Sequence, residues 1–220
     1  MKAVLFDMDG TIFDTERISY ECWCQAAKTL GLPIDISTLI DDMYGLNNHT
    51  FAHFFTSRFG ADFPYRELIA RREECVRNTL LSNGVPKKPG VPAVFDALRA
   101  RGYKLGLVSS TTTTDLLRYL SLADLDGTFD LVLGGDAIER GKPEPDCYLL
   151  AAERLGVAPA DCTVVEDSKN GILSGSRAGM RTVLIPDRQR PDAEMLAHTS
   201  HHLQSLDELA ALLDSLEQNA

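Results

Sequence analysis

No apolar run in this 220-residue chain approaches the roughly 20 residues that span a membrane. Positive charge is scarce: 22 Lys+Arg stand against 32 Asp+Glu, a formal net charge of −10. That balance argues against non-specific binding to nucleic acid or to anionic lipid. No Gly-x-Gly-x-x-Gly or Walker pattern follows a strand-like run, which weakens a nucleotide-binding module. Internal repeats and low-complexity tracts are missing too. The opening MKAVLFDMDG starts a strand at once and meets aspartates after four apolar positions, too short and too acidic a pattern for a signal peptide. Cysteine is sparse and odd in number: Cys22, Cys24, Cys75, Cys147 and Cys162. Such a scattered set predicts reduced thiols in a cytoplasmic protein, all serving as small packing residues. Cys22 and Cys24, two apart on a predicted helix, do not share a face.

What is present is an alternation. Ala3–Phe6, Tyr103–Val108, Leu131–Leu133, Cys162–Val165 and Thr182–Ile185 read as strands. Between the later ones, Val91, Val94, Phe95 and Leu98, and then Tyr148, Ala151, Ala152 and Leu155, follow the helical period. A last helix over Ser205–Leu216 carries Leu206, Leu209, Leu213 and Leu216 on one stripe. Strands alternating with helices predict an α/β fold, a mainly parallel sheet with helices on both faces. The stretch between the first two strands is far longer than one crossover helix requires. It carries helical stripes at Ile18, Cys22, Ala26 and Leu30, and at Leu68, Ile69, Val76 and Leu80, and ends in Pro86-Lys87-Lys88-Pro89-Gly90. The expected organisation is therefore a catalytic core over 1–14 and 90–220 with an all-helical insertion over 15–89.

Chemistry gathers at the predicted strand ends, where ligands bind in parallel α/β sheets. The first strand runs into Asp7-Met8-Asp9-Gly10-Thr11, with both carboxylates on one side of an extended chain. Two such charges repel unless a cation or a shared proton intervenes, and hard oxygen ligands favour Mg²⁺. An EF-hand loop would need a third ligand before its glycine, and Gly10 follows Asp9 directly. The second strand ends in Ser109-Ser110-Thr111-Thr112-Thr113-Thr114, hydroxyls and helix-start N–H groups suited to phosphate. After the third comes Gly141-Lys142-Pro143-Glu144-Pro145-Asp146, with Lys142 pinned as a fixed counter-charge. The fourth ends in Glu166-Asp167-Ser168. Two acids, a hydroxyl cluster, a lysine and two more acids make a site for a metal-bound phosphoryl group. Asp7 can attack phosphorus to give an aspartyl-phosphate, and Asp9 can protonate the leaving alcohol. His198, His201 and His202 have no acidic or cysteine partner at ligand spacing and read as a solvated loop.

These motifs, with Asn170-Gly171 and Ala178-Gly179-Met180, resemble the haloacid dehalogenase-like superfamily, in its β-phosphoglucomutase-like phosphatase subgroup, over the whole chain. The resemblance implies a Rossmann-like core with a helical cap inserted between the first two motifs. It implies Asp7 as nucleophile and Asp9 as general acid and base. Ser109, with Ser110 beside it, and Lys142 are implied as phosphate ligands. Asp7, the backbone carbonyl of Asp9, and Asp167 are implied as Mg²⁺ ligands, with Glu166 supporting the metal directly or through water. Thr11 is expected to orient the Asp9 side of the loop. Glu16, Asn47, Asn48 and His49 are candidates for contacts to substrate hydroxyls. Two departures weaken a phosphomutase: Ser19 stands where the mutases carry a histidine, and Gly45-Leu46-Asn47-Asn48 lacks the arginine of their Gly-x-Ser-Arg stretch. Dehalogenases lack an acid at the position of Asp9. The expected protein is a cytoplasmic, monomeric, Mg²⁺-dependent phosphatase acting on a small phosphate ester, with no nucleic-acid or membrane partner. The alternatives are a phosphomutase and a non-catalytic phospho-acceptor module.

Overall fold

The computed structural model of the chain describes residues 2–43, 46 and 48–218. In chain order the elements are β1 (Ala3–Phe6), α1 (Thr15–Thr29), α2 (Ile40–Met43), α3 (Asn48–Phe59), α4 (Tyr65–Asn83), α5 (Ala93–Ala100), β2 (Lys104–Val108), α6 (Thr113–Leu122), β3 (Leu131–Leu133), α7 (Asp146–Leu155), β4 (Cys162–Glu166), α8 (Lys169–Arg177), β5 (Arg181–Leu184), α9 (Ala193–Ala197), β6 (His201–His202) and α10 (Leu209–Gln218). The strands form one parallel sheet in the order β3-β2-β1-β4-β5-β6. This is the doubly wound order, with β1 at the centre.

The centre of the sheet explains its composition. Every residue of β1 and β4 is buried, because helices cover both faces. Leu5 belongs to a cluster with Tyr148, Ala151, Ala152 and Leu155 of α7. Phe6, one residue on, meets Phe95 of α5, with ring centroids 5.2 Å apart. The period of two thus sends neighbouring residues of β1 into different apolar clusters.

The chain divides into two compact units, Met1–Asp14 with Val85–Ala220 and Thr15–Gly84. The second is all-helical among its described residues. Residues 85–89 fall with the sheet because they pair with the loop after β1. Asp14 N–H donates to the Pro86 carbonyl at 2.9 Å, and Lys88 N–H donates to the Ile12 carbonyl at 2.8 Å. Inside the helical unit, α1 packs on α4. Its core is aromatic: Trp23, Phe51, Phe54, Phe55, Phe59 and Phe63 form a run of ring contacts.

Two expectations are corrected. Cys22 and Cys75 form a disulfide across α1 and α4, with Cα atoms 5.6 Å apart, so the cysteines are not all free. The pairing depends on the packing of two helices distant in sequence, which cysteine spacing does not record. It also removes the cysteine argument for a reducing compartment. His201 and His202 are not loop residues but the edge strand β6, and His198 caps α9 with Nδ1 2.9 Å from Ser176 Oγ. Backbone pairing to β5, rather than side-chain pattern, makes that short strand. Among the described residues no helix is long and apolar enough to cross a membrane.

Candidate active site

The strand order puts two of the acidic motifs side by side. β1 and β4 are neighbours in register, Phe6 opposite Val165, and Asp7 N–H continues the ladder to the Val165 carbonyl at 3.0 Å. Asp7 therefore leaves β1 beside Glu166 and Asp167 at the end of β4. Carboxylate oxygens of Asp7, Glu166 and Asp167 lie within 4.8 Å of one another, and all three residues are buried. This is the carboxyl-end crevice where strand order reverses, the expected ligand site of such a sheet.

Lys142 arrives from the loop between β3 and α7 and answers this charge. Its Nζ donates to Asp7 Oδ1 at 2.5 Å, to Glu166 Oε1 at 2.7 Å and to the Val108 carbonyl at 3.1 Å. Those acceptors use all the donors of an ammonium. Burial opposes the charge on Lys142, but Asp7 and Glu166 outweigh it and hold its pKa well above the ordinary lysine range. Burial pushes the Asp7 carboxyl above its ordinary range, and the Lys142 ammonium works against that shift. Leaving one charge of such a buried set unpaired costs about 3–5 kcal/mol.

Glu166 is fully enclosed and fully engaged. Oε1 accepts from Lys142 and, at 2.9 Å, from the Tyr148 hydroxyl. Oε2 accepts from the Ser168 N–H at 3.2 Å and the Ser168 hydroxyl at 2.9 Å. Ser168 is also the N-cap of α8, accepting from Gly171 N–H. A side chain at Gly171 would collide with the Glu166 carboxylate. At Gly10, where φ is +79°, a side chain would be both strained and driven into the Asp167 carboxylate. The two glycines thus let backbone approach the acids closely.

Asp9 is half-buried and accepts from the Thr111 hydroxyl at 3.4 Å. The buried Thr11 hydroxyl donates to Asp167 Oδ1 at 3.4 Å, so its contact here is with the acid after β4. Ser109 follows β2 and is buried, its hydroxyl accepting the Thr111 N–H at 3.1 Å, whereas Ser110 is exposed. Glu16 is half-buried in the first turn of α1, in the helical unit. Asn47 lies outside the described residues, as do Gly45 and the side chains of Asn48 and His49. Ser19 is buried in α1 and accepts from Arg72 Nη2 of α4 at 2.5 Å.

Sequence reasoning missed Tyr148 as a member of this cluster, and it read Thr111 only as one of the phosphate-site hydroxyls, not as the partner of Asp9. Tyr148 was placed in an apolar stripe, and it is indeed completely buried. The available signal was its hydroxyl, which a buried tyrosine must satisfy. Burial pushes that phenol well above its ordinary pKa range, and the Glu166 charge adds to the shift, so it stays a donor.

The donor set is all hard oxygen around buried carboxylates, which fits a small divalent cation such as Mg²⁺. A family model for haloacid dehalogenase-like hydrolases matches residues 1–179. The fructose-1-phosphate phosphatase YqaB of Escherichia coli is 34% identical over 182 residues, 82% of this chain and 94% of its own length. The β-phosphoglucomutase of Bacillus subtilis is 31% identical over 197 residues, 86% of this chain and 85% of its own. Among solved structures, the β-phosphoglucomutase of Clostridium difficile superposes with a TM-score of 0.79 at 21% identity, covering 100% of this chain and 97% of that one, a likeness of fold.

Proposed function

This chain belongs to the haloacid dehalogenase-like hydrolases and is a phosphoric monoester hydrolase, and we propose that it frees phosphate from a small phosphorylated sugar or polyol through an aspartyl-phosphate on Asp7. The observation that carries this reading is the junction of Asp7, Lys142, Glu166 and Asp167 at the carboxyl ends of neighbouring strands. The substrate class comes from relatives whose names specify fructose-1-phosphate, hexitol and phosphorylated-carbohydrate phosphatases.

Asp7 supplies the attacking oxygen. Its Oδ1 faces Lys142, so the ammonium fixes the carboxylate and offsets charge as the phosphoryl group arrives. Asp9, less buried, is the general acid for the leaving alcohol and then the base for water. Thr111 orients it. Ser109 and the N–H groups beside it receive the transferring oxygens, joined by the Lys142 donor that Asp7 gives up as it is esterified, and such fixed donors contribute most to phosphoryl transfer. Asp7, Asp167 and the Asp9 carbonyl would hold Mg²⁺, with Thr11 steadying Asp167, while Glu166, whose oxygens are already engaged by Lys142, Tyr148 and Ser168, would support the ion by its charge and not as a ligand. When bound, the ion neutralises the repulsion between Asp7 and a phosphate oxygen. We assign the choice of leaving group to the helical unit, with Glu16 and Asn47 as candidates.

Phosphatase is preferred to phosphomutase because Ser19 occupies the histidine position of the mutases and is engaged as an acceptor by Arg72. The decisive test is phosphate release from a panel of sugar, polyol and nucleotide phosphates, with Mg²⁺ and with EDTA. Metal-dependent release from a few sugar or polyol phosphates is expected. No release from any of them would overturn the proposal. A long-lived phosphorylated Asp7 without free phosphate would favour the phospho-acceptor alternative. Isomerisation of a hexose phosphate would favour the mutase.

A further inference from the structure

The loop that carries Lys142 is held by α8. Ser174 Oγ donates to the Glu144 carbonyl at 2.6 Å, and Arg177 Nη1 donates to the Pro143 carbonyl at 3.0 Å. This fixes backbone, but a lysine still swings on a four-carbon stem. Something must hold the ammonium itself. Asp7 cannot do so throughout a reaction in which it becomes esterified, because its charge is then consumed. Glu166 can, provided its own carboxylate cannot turn.

Tyr148 meets both members of this pair. Its hydroxyl donates to Glu166 Oε1 at 2.9 Å, the same oxygen that receives Lys142 Nζ at 2.7 Å. Its ring lies under the ammonium, with Nζ 5.1 Å from the centroid, within cation–π range. Ser168 holds the other carboxylate oxygen. Without the phenol, Oε1 would retain only the mobile ammonium, and the carboxylate would be pinned from one side. A phenylalanine would fill the same apolar site, so the packing of α7 on the sheet does not account for the hydroxyl.

We infer that Tyr148 is a positioning residue for Lys142, acting through the ring face beneath the ammonium and through the hydroxyl that fixes Glu166. It touches no reacting atom; it keeps the positive charge in place when Asp7 ceases to be its partner. The kinetic consequence rests on the aspartyl-phosphate mechanism proposed above, whereas the positional claim rests on geometry alone.

The test combines kinetics with a direct view of the ammonium. In protein labelled with ¹⁵N-lysine, the buried Lys142 ammonium resonance is identified by its loss in Lys142→Gln. Tyr148→Phe should shift or broaden that resonance and speed its proton exchange. It should lower kcat for phosphate release about 5- to 20-fold, with KM changed less than about 3-fold, a loss confined to the transition state. Tyr148→Leu, which removes the ring face too, should lower kcat about a further 5-fold. Circular dichroism at the assay temperature establishes that each variant is folded. An unchanged ammonium resonance in Tyr148→Phe overturns the inference whatever the kinetics, and so does a kcat within twofold of the parent enzyme. If the parent enzyme releases no phosphate from any substrate, the phosphatase proposal fails by itself, and the resonance still decides the role of Tyr148.

Discussion

The sheet unit and the helical unit are stabilised by different means. In the sheet unit, apolar strands end in buried charge: Asp7, Glu166 and Asp167 against Lys142. In the helical unit the interior is a stack of rings around Phe55, closed by the Cys22–Cys75 disulfide. The buried carboxylates among the described residues all belong to the sheet unit. Buried charge is costly in free energy and persists where every lone pair is engaged, as in Glu166 with its donors. An aromatic core makes no such demand and can vary with less constraint. The candidate site therefore lies at the end of a parallel ladder between β1 and β4. The unit that we assign to substrate choice is built from tolerant packing.

That contrast can be broken at several points. The largest effect should come from Asp7→Asn, which leaves the fold intact because Lys142 keeps Glu166 as partner. Phosphate release should fall by about 10⁴-fold or more, the scale of losing a nucleophile. Retention of most activity would move the nucleophile elsewhere. In the helical unit the largest response should be thermodynamic. Phe55 is completely buried among Trp23, Phe54 and Phe63, and Phe55→Ala should destabilise that unit by about 3–5 kcal/mol in urea unfolding. A loss under 1 kcal/mol would mean that the ring stack is not its core.

Reduction of the disulfide, or Cys75→Ser, should cost about 2–4 kcal/mol of stability, as expected for opening a long covalent loop. Thiol titration of the unreduced protein should find Cys24, Cys147 and Cys162 but not Cys22 or Cys75. If all the cysteines react in the denatured, unreduced protein, the cross-link is absent in solution. The smallest effect should be at the exposed Arg58–Asp42 pair, 2.7 Å apart. Arg58→Ala there should shift stability by less than about 1 kcal/mol, because water screens both charges.

The two units also differed in what their sequences disclosed. The strands of the sheet were legible because each is a short apolar run ending in a polar cluster. Ala3–Phe6 and Leu131–Leu133 fall where that pattern places them. β6 was not, because two histidines at an edge carry no burial signal. Asp7, Glu166 and Asp167 were legible as candidates because the carboxyl end of a parallel strand is a site by topology. Tyr148 was read only as apolar, since a helical stripe records which face is buried and not what a hydroxyl meets. The partners of Cys22 were hidden for the same reason: contacts between distant helices leave no local period.

The sequence by itself determined the α/β class, the helical insertion and the residue types brought to each strand end. Those depend on local pattern, on period two against period 3.6 and on where an apolar run stops. Only the tertiary structure decided which of these groups meet. It placed β4 beside β1, so that Asp7 shares Lys142 with Glu166, and turned the Tyr148 hydroxyl onto the same carboxylate. It also brought Cys75 to Cys22. Strand order and helix packing are set by the burial of the whole chain at once, so no window of sequence holds them.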